Sequence, residues 1–291
     1  MAGARVKVAV IGGSGLYRMK GISGVSELRV STPFGAPSDA VIVGTVSGVR
    51  CAFLPRHGRR HTLLPSEINS RANIWALKSL GAEIIVAFGA VGSLKPALAP
   101  GHFVIPDQAV DETRARRSTF FGEGIVAHVP FAEPFCPALA GPLYRAARRI
   151  GVRAHRGGIF CCMEGPHFSS RAESEMHRRL GYSLIGMTSM PEAKLAREAE
   201  ICYATVAMVT DYDCWKLGEE VSAEKVVSVM NGNSENAQRL VAAALPELQK
   251  LPSRACLCAR ALENALMTRP GAMPKETLKK LSLLIGKYVR A

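Results

Sequence analysis

Four segments of the chain combine residue types and spacings that could do chemistry. Gly12-Gly13-Ser14-Gly15 follows directly on the apolar run 6–11. Its glycines would let the backbone approach a ligand closely, and the Ser14 hydroxyl can donate to a phosphate oxygen. The spacing is neither a dinucleotide fingerprint nor a P-loop, so the segment reads as an anion loop or as a plain turn after a strand. In Pro55-Arg56-His57-Gly58-Arg59-Arg60-His61 two histidines stand four apart, a spacing that could ligate a metal on a helix face. Three arginines between and beside them would repel a cation. An oxyanion gripped by arginine is the better reading, with a solvated basic turn as the alternative.

The third segment runs from Met163 to Glu173. Gly165-Pro166 forces a turn, and Ser170 with Glu173 forms a capping box for a following helix. That leaves Phe168 unexplained, an aromatic ring at the rim of a turn where it could stack on a planar ligand. The fourth segment, Thr210-Asp211-Tyr212-Asp213-Cys214-Trp215, ends another apolar run. Ligands of α/β sheets bind beyond the carboxyl ends of strands, and alternate residues of an extended segment share a face. Two aspartates pointing the same way could serve as general acid and hydrogen-bond acceptor, or bind a hard cation. Simple strand termination is the plainer explanation.

These segments need a scaffold, and the chain supplies one. Short runs rich in Val and Ile at 6–11, 40–46, 51–54, 84–88, 102–105, 158–162, 183–186 and 203–209 read as strands. Helical patterns fall at 66–80, 135–150, 170–180, 191–199 and 223–245. Strands alternating with helices imply an α/β fold, a mixed and mostly parallel sheet flanked by helices on both faces. Pro246 and Pro252 are expected to close this body. Beyond them, 255–267 and 275–288 read as two tail helices. The expected division is a single domain over 1–250 and a basic helical extension over 251–291.

Composition narrows the function classes. Of 291 residues 48% are hydrophobic, which excludes a disordered chain, and no apolar run approaches the ~20 residues of a membrane span. No secretory leader is recognisable, so a cytoplasmic protein is expected. The net charge of +13 attracts phosphate in some form, small or polymeric. Residues 251–291 carry eight cations against two anions, and the rest of the surplus is dispersed. Nucleic-acid binding therefore has only charge in its favour, with no readout motif beside it. Eight cysteines include no Cys-x-x-Cys, so no metal site is expected. They read as buried small hydrophobes or as disulfides of the kind found inside hyperthermophile cells.

Taken together, the segments resemble the methylthioadenosine phosphorylase family, within the trimeric purine nucleoside phosphorylases. The resemblance runs from about Val8 to Ala244 and rests on Gly12–Leu16, Thr32–Asp39, Arg56–Arg59, Asn73–Leu77, Glu133–Pro137, Glu164–Glu173 and Thr210–Trp215. It implies a purine nucleoside phosphorylase-like single domain that cleaves 5'-methylthioadenosine to adenine and 5-methylthioribose 1-phosphate. Inorganic phosphate is then the nucleophile, no cofactor or metal is used, and the chain assembles as a homotrimer or hexamer. The phosphate pocket carried over by this resemblance is Ser14, Arg56, His57, Gly89, Ala90 and Thr188. Ser14 stands where Thr is often found, and Gly89 departs from members with a Thr hydroxyl there. Phe168 and Met187 would contact base and ribose, Asp211 would protonate the departing purine, and Asp213 would accept from the adenine 6-amino group. His61, Ala223 and Val226 are assigned to the 5'-substituent pocket. The alternative is a methylthioinosine-selective or broad-specificity purine nucleoside phosphorylase. The tail has three open roles: burial against a neighbouring subunit, disulfides at Cys256 or Cys258, or none.

Overall fold

The computed structural model describes residues 5–13, 15–16, 19, 21–219, 221–252 and 256–289, and only the backbone of Lys225. In chain order its elements are β1 (Val8–Gly12), β2 (Ser23–Leu28), β3 (Val41–Val46), β4 (Val49–Pro55), α1 (Ser70–Ser79), β5 (Ile84–Ser93), β6 (Phe103–Ile105), β7 (Gln108–Asp111), α2 (Pro137–Arg149), β8 (Ala154–Arg156), β9 (Ile159–Cys162), α3 (Arg171–Arg179), β10 (Leu184–Gly186), α4 (Glu192–Glu198), β11 (Cys202–Asp211), α5 (Ala223–Lys250) and α6 (Lys275–Ile285). All eleven strands join one mixed sheet ordered β2-β3-β4-β1-β5-β10-β9-β7, from which β11, β6 and β8 branch at β5. β1 runs parallel to β4 and β5, and β11 parallel to β5, while β10 meets β5 antiparallel. The expected mixed, mostly parallel sheet is the one observed.

Both faces of this sheet are buried, which is why its strands read as unbroken apolar runs rather than alternating ones. On one face Ala9, Ile11, Ile85, Ala87, Tyr203 and Ala207 meet α1, α4 and α6. On the other face Val8, Val10, Ile84, Val86, Ala204 and Val206 meet α2 and α5. Three strands escaped the sequence reading. β2 (SGVSEL) is a largely exposed edge, β7 is half-exposed, and β8 is only three residues long. None buries enough side chain to leave a pattern. β5 runs five residues further than expected, through Gly89 and Gly92, because β11 pairs with it along nearly its whole length.

Two boundary expectations are corrected by packing. Pro246 does not end α5 but lies inside it. A mid-helix proline costs about 3 kcal/mol, and here Ala244, Leu245 and Leu248 on either side are fully buried against the sheet, offsetting that loss. The segment 255–267 is not a long helix. A single 3-10 turn spans Leu257–Arg260, and the backbone of 265–267 pairs instead with 126–128 through His128 N–H to Ala265 O and Met267 N–H to Val126 O, both 2.9 Å. Residue 255 lies outside the described residues. The described part of the tail packs on its own chain: Leu281, Leu284 and Ile285 of α6 share a core with Phe34 and Phe120, and Thr277 Oγ1 donates to Glu123 O at 2.7 Å. No described helix is long and apolar enough to cross a membrane.

Leu281 is fully buried. Leu281→Ala is expected to lower the unfolding free energy by about 2–5 kcal/mol, read by urea denaturation. A change within ~0.5 kcal/mol, the range of an exposed substitution, would mean that α6 does not hold this packing in solution.

Candidate active site

The ends of β4, β5, β10 and β11 open onto one cavity of about 620 Å³, closed on another side by the first turns of α5. β4 delivers Arg56 one residue past its end, and this side chain is almost completely buried. Its Nε and Nη2 donate to the two carboxylate oxygens of Glu192 at 2.6 and 3.0 Å, and Nη1 donates to Phe88 O at 2.6 Å. The bidentate fork that sequence reasoning assigned to an oxyanion is therefore spent on a buried carboxylate. Three donors are engaged, and the remaining N–H groups of the five are what a ligand can use. Tyr203 of β11 donates its hydroxyl to Glu192 Oε2 at 2.9 Å, fixing the carboxylate from the far side.

His57 is placed by its Nδ1, 2.9 Å from Leu63 O, which makes Nδ1 the protonated nitrogen and leaves Nε2 as an acceptor in the neutral ring. Burial, aided by the neighbouring Arg56 charge, pushes its pKa down to about 4. The ring stacks on His61 with centroids 4.4 Å apart. Arg59 does not join them: it pairs at the surface with Glu27 at 2.7 Å and Asp39 at 3.2 Å. The basic segment thus splits into a buried half at the cavity and a solvated half.

The opposite end is acidic. β11 breaks register with β5 between Val209 and Asp211, a bulge that re-aims the end of the strand. The carboxylate of Asp211 accepts from Thr210 Oγ1 at 2.7 Å and from the Asp213 N–H at 2.8 Å. Burial, reinforced by the nearby Asp213 charge, raises the Asp211 pKa from its ordinary value despite those two bonds. The two aspartates do meet, though not by strand alternation. β11 stops at Asp211, and Asp213 sits in a turn with φ +53°. Its Oδ2 is buried without a hydrogen-bond partner among the described residues, a costly state unless a ligand donates to it. Gly92 of β5 makes room for the pair, since a Cβ there would lie 2.9 Å from Asp211 Oδ1 and 3.3 Å from Asp213 Cβ.

Between the two ends runs β5. Gly89 faces Thr188, whose Oγ1 would be only 2.7 Å from a Cβ at that position. Gly89 and Gly92 lie three residue steps apart along the strand, or about 10 Å, a gap of nucleoside size. Arg56, His57, His61, Gly89, Ala90, Phe168, Met187, Thr188, Asp211, Asp213, Ala223 and Val226 all line this one cavity. Ser14 lies outside the described residues. The capping box at Ser170 and Glu173 is present, and Phe168 stands on the rim, partly exposed.

Several contributors left no mark in the sequence. Glu192 is one carboxylate among many until folding buries it under Arg56. Arg116, within the basic cluster 114–117, donates to Met187 O at 2.6 Å, Met190 O at 2.7 Å and Glu164 O at 2.6 Å, tying together the two loops that carry Phe168 and Met187. Met230, Asn231 and Ser234 enter from α5, as the 3.6-residue period of a helix starting at Ala223 would have indicated.

The chain also matches known proteins. The model of the phosphorylase superfamily fits residues 7–246. S-methyl-5'-thioadenosine phosphorylase of Geobacter sulfurreducens is 51% identical over 284 residues, covering 97% of this chain and 99% of that protein. Its namesake from Koribacter versatilis is 52% identical over 285 residues, covering 98% and 97%. Among solved structures, a methylthioadenosine phosphorylase from an antarctic soil metagenomic library superposes with a TM-score of 0.92 at 46% identity, over 97% of this chain and 99% of that one. The methylthioadenosine phosphorylase of Schistosoma mansoni, in complex with tubercidin, gives a TM-score of 0.79 at 38% identity, over 85% and 93%.

Glu192→Ala would strand the buried Arg56 charge, and the expected loss of stability is about 3–5 kcal/mol in urea unfolding. Glu175→Ala, which removes the exposed partner of Arg178, is expected to cost no more than ~1 kcal/mol. Equal losses in the two variants would show that the Arg56–Glu192 pair is not the buried anchor described.

Proposed function

The chain belongs to the phosphorylase superfamily, and from that premise we propose that it cleaves 5'-methylthioadenosine with inorganic phosphate, releasing adenine and 5-methylthioribose 1-phosphate. The observation that carries this reading is the polarity of the cavity. One end offers Arg56, His57 and Thr188, and the other offers an acid with a raised pKa beside a buried, unpartnered carboxylate oxygen. A nucleoside and an anion fit such a cavity side by side.

Breaking the glycosidic bond leaves an oxocarbenium-like sugar and an electron-rich purine. Phosphate, held by Arg56, Thr188 and the backbone of Gly89 and Ala90 and donating its own O–H to the neutral His57 Nε2, attacks the anomeric carbon, and its negative charge stabilises the developing sugar cation. Asp211 gives its proton to N7 of the departing adenine. The upward shift of its pKa favours the acid form, so the rate should fall as pH rises through that pKa. Asp213 accepts from the 6-amino group, satisfying Oδ2. A 6-oxopurine would face it with a second acceptor, which argues against the alternative of methylthioinosine-selective or broad specificity. Phe168 and Met187 hold base and ribose. His61, Ala223 and Val226, extended by Val227 and Met230, form the wall for the methylthio group.

Phosphate and side chains supply the nucleophile, the acid and the base-edge acceptor, so the reaction calls for no cofactor. We assign it to the cytoplasm, where free phosphate and nucleosides meet, and infer a homotrimer or hexamer. Phe168, Leu64 and Val227 support assembly: each lines the cavity yet is 46–61% exposed in the single chain, where a neighbouring subunit would cover it. Ser14 is proposed as a further phosphate contact, and 251–291 as an extension of the domain formed by 1–250.

Base release from methylthioadenosine, adenosine and inosine, each with and without phosphate, tests the reading. Adenine release that requires phosphate and is fastest from the methylthio compound is expected. In Asp213→Asn the preference should move toward inosine, and comparable wild-type rates on all three would refute the selectivity argument. Asp211→Ala is expected to lower kcat by about 10²–10⁴-fold while the circular dichroism spectrum stays unchanged. Near-native turnover in that variant removes Asp211 from the acid role.

A further inference from the structure

Away from the cavity, four cysteines distant in sequence meet in space. Cys136 caps the start of α2, Cys202 is the first residue of β11, and Cys256 and Cys258 belong to the turn that follows α5. Their four Sγ atoms all lie within 4.8 Å of one another, with Cys202 and Cys256 3.0 Å apart. All eight cysteines of the chain are free thiols, and the other four stand elsewhere. Cys136 and Cys258 are buried, and Cys202 and Cys256 half-buried.

Thiols are weak hydrogen-bonding groups, so four of them gain little from converging on one point. A soft divalent cation changes that balance. Zinc bonds thiolate at ~2.3 Å in a tetrahedron, which sets neighbouring sulfurs about 3.8 Å apart. The separations in this cluster, from 3.0 Å to no more than 4.8 Å, straddle that value. The donor set is all sulfur and numbers four, which leaves no position open for water or substrate and matches a closed structural site rather than a catalytic one. The sequence hid it because the ligands are a Cys-x-Cys pair and two single residues 66 positions apart, not a Cys-x-x-Cys.

We propose that Cys136, Cys202, Cys256 and Cys258 bind one zinc ion that fastens the turn 256–260 to β11 and to the head of α2. Binding releases the thiol protons to solvent and forms four Zn–S bonds; no oxidant or reductant is involved. Its consequence is mechanical. The turn begins the tail that ends in α6, and α6 lies in the core beneath the opposite face of the sheet. A zinc at the start of this path closes it at both ends, as a covalent staple would.

The test uses the full chain, produced with zinc in the medium and purified under a thiol reductant without chelator. Elemental mass spectrometry is expected to find one zinc per chain, retained in Cys51→Ala and lost in Cys202→Ser and in Cys258→Ser. Because the serine variants can fail to fold, the wild type is also stripped and reloaded with cobalt(II). Tetrahedral cobalt thiolate absorbs strongly in the visible, and that band is expected at one equivalent. Thiol-reduced wild type that takes up neither zinc nor cobalt overturns the proposal. So does metal that remains in both serine variants. An intact mass short by the hydrogens of two disulfides, in protein that still binds no metal once reduced, would assign the cluster to disulfides instead.

Discussion

The buried contact between Arg56 and Glu192 governs the rest of the structure. Taking both charges out of water costs several kcal/mol per ion, and their attraction offsets that only when the remaining donors and acceptors are satisfied. Here Phe88 O and the Tyr203 hydroxyl complete the set. The pair therefore dictates the relative positions of four elements: the end of β4, the middle of β5, the start of α4 and the start of β11. It also decides what the cavity can bind. A guanidinium already oriented by a carboxylate is rigid, and its leftover N–H groups point where the network leaves room. This end of the cavity is rigid on its own account.

At the other end the protein uses backbone irregularity. β5 and β11 run parallel through the core without interruption until the bulge before Asp211. Beyond it the chain turns, and Asp213 donates its N–H to Asp211. A regular strand would have sent Thr210 and Asp211 to opposite faces of the sheet. Breaking the ladder turns the strand end into a cradle. Gly92 and Gly89 on β5 leave space where side chains would otherwise fill the gap. The cavity is thus walled by strands whose opposite ends are locked in two hydrophobic cores.

Much of this was legible in residue order. The central strands stand out because both faces are buried, and the helices because their apolar stripes recur at 3.6 residues. Arg56, His57, Phe168, Asp211 and Asp213 stand out because Arg-His, Gly-Pro and Asp-x-Asp each follow an apolar run, whereas Gly89, Ala90, Met187, Thr188, His61, Ala223 and Val226 are named only through the family resemblance. What stayed hidden depends on partners far away in the chain. Glu192 is meaningful only beneath Arg56, and Arg116 only beside the Met187 and Glu164 carbonyls. Pro246 reads as a stop because the sequence does not display the core that holds α5 together around it. The segment 265–267 prefers strand-like pairing with 126–128 over its own helical pattern, a choice made by tertiary contact. Cys136 and Cys202 are unremarkable singly, and only folding brings them to Cys256 and Cys258.

The left-handed backbone at Asp213 also restricts what can stand there. A positive φ favours glycine, asparagine and aspartate and disfavours β-branched residues most strongly. That short alphabet still contains a pure acceptor and an amide that both accepts and donates. Hydrogen-bonding sense at the acidic end can therefore invert by a single codon change without disturbing the turn, whereas a shift to an apolar lining would require rebuilding the loop.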